Sequence, residues 1–71
     1  MGTYTQRKRF DHPSLAEREE RFFHHPEFKS PGVEVATRIA QADGECWLYL
    51  TQTGPLVDDD SMILPDWEKV G

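Results

Sequence analysis

The chain has 71 residues, with 8 Lys or Arg, 13 Asp or Glu, a net charge of −5 and a single cysteine. That length holds one domain, residues 1–71. The lone Cys46 excludes an intrachain disulfide and any zinc site built on several cysteines, and no apolar run approaches the length of a membrane span. A reducing, cytoplasmic setting is the expectation, with no cofactor and no membrane contact. The charge is uneven: residues 1–30 are close to neutral, and most of the acids lie in residues 31–71. An acidic half argues against a general duplex-DNA binder, because phosphate affinity needs a concentrated basic surface. It suits a protein partner with a basic surface.

Residues 1–10, MGTYTQRKRF, show no clean apolar period and read as a flexible arm, with a short strand around Tyr4 to Gln6 as the ordered part. The stretch DHPSLAEREERFFHH holds the one good helix, over about residues 14–24. Ser14 and Glu17 have capping-box spacing, and Asp11 with Pro13 offers an alternative entry one turn earlier. Leu15 and Phe22 share a face that Phe23 widens, and Glu17–Arg21 is an i,i+4 pair of the favoured orientation. Pro26 disfavours helical geometry at His25 and ends the run. A helix this short needs a docking surface, through Leu15, Phe22 and Phe23. In the linker PEFKSPG, Phe28 is the candidate anchor.

Residues 33–41 and 45–53 read as a β-hairpin. Asp43-Gly44 is a type I′ turn signal, since both central positions of that turn need positive φ. The turn sets the register: Ala42 faces Glu45, Ile39 faces Leu48 and Arg38 faces Tyr49. One face then carries Val33, Val35, Ile39, Cys46, Leu48 and Leu50, and the other Ala36, Arg38, Ala40, Trp47 and Tyr49. A slip by one residue would exchange the faces, so burial enforces the register. Asp58, Asp59 and Asp60 form a charged loop, Ser61 to Leu64 suits a third strand that Pro65 stops, and Asp66-Trp67-Glu68 suits one helical turn before Val70.

The fold expected is α+β: one short helix on a small antiparallel sheet of three or four strands, with the hairpin at its centre. The order DGECWLYL, loop, MILPDW, KV resembles the second half of an SH3-like barrel, where an acidic-Gly turn also precedes a Trp-bearing strand. The resemblance covers under half of the chain and implies, as the alternative architecture, a small SH3-like β-barrel.

The chemistry-bearing residues converge poorly. His24 and His25 are adjacent on a helix end and diverge by about 100°, and His12 lies a helix away, so no metal site is expected. Cys46 sits mid-strand on the aliphatic face beside Glu45, the setting of a small buried hydrophobe rather than a reactive thiolate. From Asp58 the EF-hand pattern fails, with Met62 and Ile63 in its fifth and sixth places. No phosphate loop, nucleophile elbow or carboxylate pair is present, so no catalytic residue is assigned.

The remaining signal is Arg38, Trp47 and Tyr49 on one hairpin face, a combination that binding hot spots favour. The competing reading makes both rings core. Asp58, Asp59 and Asp60 form a secondary acidic patch. The expectation is a non-catalytic protein-binding module: a small adaptor, regulator or inhibitor, of the kind phages and mobile elements encode. Homodimerisation through the hairpin edge is compatible with it. The alternative is a single-stranded nucleic-acid binder that uses the sheet aromatics and the QRKR arm, which the acidic residues oppose.

Overall fold

Asp43 and Gly44 have φ of 52° and 78°, and the chain reverses there as the type I′ signal requires. In the computed structural model, which describes residues 2–28, 31–55, 57 and 63–70, five elements follow one another. They are β1 (Gly2–Phe10), α1 (Pro13–Phe23), β2 (Glu34–Ala42), β3 (Glu45–Gly54) and β4 (Glu68–Lys69). The strands form one antiparallel sheet in the order β2-β3-β1-β4. The hairpin register is the expected one, with Ala42 opposite Glu45, Ile39 opposite Leu48 and Arg38 opposite Tyr49. The molecule is therefore α+β, a short helix on a four-stranded sheet. This is an open stack of two layers, and the barrel alternative is not adopted among the described residues.

Residues 2–10 correct the expectation of an arm. They are a central strand, paired along its length with β3 and, at Gln6 and Arg7, with β4. The physical reason lies in what the strand turns inward. Tyr4 and Gln6 are buried, Lys8 and Phe10 partly so, and the two polar members hide the apolar alternation of a half-buried strand. Gln6 donates through Nε2 to Gln52 Oε1 at 3.1 Å and accepts from the Leu64 N–H at 2.9 Å. These bonds satisfy an amide that burial would otherwise penalise. The Tyr4 hydroxyl is buried and has no hydrogen-bond partner among the described residues.

Helix α1 crosses between the parallel strands β1 and β2 and covers one face of the sheet. Its entry uses Pro13 at the first turn after His12, and no side chain caps it, so the Ser14–Glu17 box is not formed. Its buried residues are Ala16 and Phe23, seven apart on one stripe. Leu15 and Phe22, expected in the interface, are 39 % and 56 % exposed. Small Ala16 lets the backbone approach the sheet, and Phe23 fills the space beside it. Phe23 meets Phe28 and Trp67 in edge-on contacts at 4.9 and 5.4 Å, spacing that suits aromatic quadrupoles. Phe28 is thus the anchor expected of the linker.

Under the helix, Cys46, Leu48 and Leu50 are buried, with Val35 and Ile39 partly buried against them because β2 is an edge strand. Each fully buried Leu or Phe contributes about 2 kcal/mol by removal from water. Gly54 closes the end of β3, where an added Cβ would meet the Gly32 carbonyl oxygen at 2.5 Å. The C-terminal segment departs from expectation. Asp66 has a φ of 68°, the chain turns from Leu64 to Trp67, and Glu68–Lys69 pairs as β4 rather than ending a helical turn. Ile63 and Leu64 are not in a strand. Ser61, Met62 and the acidic patch Asp58, Asp59 and Asp60 lie outside the described residues.

Candidate binding surface

The period of two along each strand sends alternate side chains away from the helix. On that face, uncovered among the described residues, the register aligns Arg38 of β2, Tyr49 of β3, Arg7 of β1 and Glu68 of β4 in one row. The next row holds Ala40, Trp47 and Arg9. Beyond the first row, Thr5 and Thr51 face each other, with their hydroxyls 3.1 Å apart.

The rows are bound by stacking as well as pairing. The Arg7 guanidinium carbon lies 4.1 Å from the centre of the Trp47 ring, and that of Arg38 lies 4.5 Å from the centre of the Tyr49 ring. Arg7 also donates to the Tyr49 hydroxyl at 3.2 Å and pairs through Nε with Glu68. The hydrogen bond to Tyr49, then the one to Glu68, push the pKa of the Arg7 guanidinium above its ordinary value. Trp47 donates its indole N–H to Glu45 at 3.0 Å, and Arg9 approaches the same carboxylate at 3.8 Å. Both rings are half-buried, neither lost to the core nor loose in solvent.

Arg38, Trp47 and Tyr49, named from sequence, are brought together here. Arg7 and Arg9, read from sequence only as part of the QRKR arm of the nucleic-acid alternative, join them on this face because β1 is a strand. The signal that could have found them is the alternation of Thr3, Thr5, Arg7 and Arg9 with Tyr4, Gln6, Lys8 and Phe10. Beyond Arg7 and Arg9 the face continues into a shallow groove of about 430 Å3, lined also by Trp47, Trp67 and Glu68.

Electrostatically the face is close to balanced. Arg7, Arg9 and Arg38 share it with Glu34, Glu45 and Glu68. It is an array of guanidinium, carboxylate and indole or phenol groups, fixed by strands rather than carried on loops. Such an array offers no concentrated cation to a phosphate chain.

The other chemistry-bearing residues stay apart. His24 Nε2 is 2.8 Å from the Thr37 hydroxyl, which donates to Glu20 at 2.9 Å, while His25 Nδ1 accepts from the Glu27 N–H at 3.2 Å. The two histidines thus serve different partners. Among the described residues no three His, Cys, Asp or Glu side chains are placed to share a metal ion. Cys46 is buried, and among the described residues no helix is long and apolar enough to cross a membrane.

No family model, curated protein or solved structure matches this chain.

Proposed function

We propose that the chain is a non-catalytic protein-binding module, a small adaptor, regulator or inhibitor that meets a larger partner with the uncovered face of its sheet. One observation carries the reading. Trp47 and Tyr49 stand side by side on β3, each stacked against an arginine, on the side opposite the helix. Aromatic and arginine side chains dominate binding hot spots. Their stacking restricts both partners before contact, which lowers the entropy of ordering them on binding. The net charge of −5 favours approach to a basic surface.

A single-stranded nucleic acid is the second reading, supported by the same two rings, on which bases can stack. The balance of arginine and glutamate on the face weighs against it.

Both readings are tested with immobilised protein. A partner captured from lysate by the wild type and by Arg18→Ala, on the exposed side of the helix, is expected to be lost from Trp47→Ala and Tyr49→Ala. Hot-spot truncation reduces affinity by about thirtyfold. Equal capture by all four proteins would reject the assignment of this face. Salt-sensitive binding of labelled single-stranded oligonucleotides that disappears in Trp47→Ala would replace the protein partner with the second reading.

A further inference from the structure

The two edges of the sheet are treated differently. The β1 side carries β4, a strand of two residues bearing Lys69. The β2 side is, among the described residues, a free edge of nine residues. Its pairing with β3 runs without a bulge from Glu34 to Ala42, and it contains no proline and no lysine. These are the devices by which proteins blunt an edge.

The direction of the free peptide groups follows from the turn. In a two-residue hairpin the residues flanking the turn exchange both backbone bonds, and bonded pairs then alternate. Ala42, Ala40, Arg38, Ala36 and Glu34 accordingly direct their N–H and C=O groups at β3. Val35, Thr37, Ile39 and Gln41 direct theirs outward, and among the described residues no backbone bond from a turn, loop or cap reaches them.

We infer that this edge is a self-pairing site, at which two copies of the chain join their sheets antiparallel about a twofold axis at Ala36. The charges select the axis. With Ala36 opposite its own copy, Glu34 of each chain stands opposite Arg38 of the other, twice, on the uncovered face. On the helix side Val35 meets Thr37 and Val33 meets Ile39, all groups suited to a sheet. An axis at Arg38 would place that residue against itself, and like charges directly opposite destabilise a pair. At the Ala36 axis the pair is of the non-hydrogen-bonded kind, where side chains approach most closely, and two methyl groups fit. Among the described residues neither Glu34 nor Arg38 has an ion-pair partner in the single chain. Arg38 lies over Tyr49, which leaves the in-plane N–H groups of its guanidinium to receive the carboxylate. The inference rests on the β2 edge and not on the partner proposed for the Trp47–Tyr49 face. Joining the edges would set two such faces side by side.

Sedimentation of the full chain from micromolar to millimolar concentration tests it. The wild type is expected to move from the mass of one chain to that of two. Glu34→Arg and Arg38→Glu are each expected to weaken that association roughly tenfold, because each sets like charges opposite at two places. Mixed in equal amounts, the two variants are expected to recover dimer, since each restores the other's complement. Val35→Pro removes an outward N–H that β3 does not use, so it abolishes pairing while circular dichroism remains that of the wild type. A wild type that stays single at every concentration overturns the inference. So does a dimer that both charge reversals leave unchanged, or a mixture no more associated than its components.

Discussion

Neighbouring residues of β3 have opposite fates. Cys46, Leu48, Leu50 and Gln52 turn toward the helix and are buried, while Trp47, Tyr49 and Thr51 turn away and stay half-exposed. The larger side chains are on the outer face. Volume therefore does not decide which side of this sheet is core. The helix decides it, and the helix can cover only one face. Small Ala16 and Phe23, with Phe28 and Trp67 packed against them, seal the inner side. The outer side is held by guanidinium stacks and carboxylate pairs that leave ring surface accessible. The inner face therefore supplies stability, and the outer face is the one proposed above as the contact surface.

Substitutions sharpen that division. The largest effect is expected from Leu48→Ala, which empties a fully buried position and costs about 3 kcal/mol in a denaturant titration. A domain of this size has little more to lose. Gln6→Ala comes next, at about 2 kcal/mol, because it strands the buried Gln52 side chain and leaves the part-buried Leu64 N–H without its acceptor. Trp47→Ala, although it deletes more atoms than Leu48→Ala, is expected to cost about 1 kcal/mol, the size of a partly exposed stack. A Trp47→Ala variant as unstable as Leu48→Ala would place the ring in the core and dissolve the distinction between the faces. Tyr4→Phe is expected to change stability least and in the opposite direction. It removes a buried hydroxyl that has no partner among the described residues, and the thermal midpoint should hold or rise slightly.

Much of this division is legible in the chain itself. Asp43-Gly44 carries its own backbone requirement, so the hairpin register and the sidedness of Arg38, Trp47 and Tyr49 can be read directly. The helix is legible as a helix but not in its orientation. Leu15 and Phe22 are the more hydrophobic pair, yet helix rotation is set by how closely the backbone can approach the sheet, and that favours the stripe of Ala16 and Phe23. Strand β1 is hidden because its inward residues include Gln6 and Lys8. A buried glutamine is recognised only once its partner Gln52, 46 residues away, is known to be opposite. Losing β1 from view also removed Arg7 and Arg9 from the candidate surface. Strand β4 is two residues long and has no period to detect.

Site-specific photocrosslinking in living cells tests the central claim most directly. A photoreactive phenylalanine analogue is introduced at Thr51, beside Tyr49 on the uncovered face, and separately at Arg18 on the exposed side of the helix. The account predicts a discrete crosslinked partner from position 51 that is absent from position 18 and lost when Trp47→Ala is added. Crosslinks from position 18 with none from position 51 would contradict it.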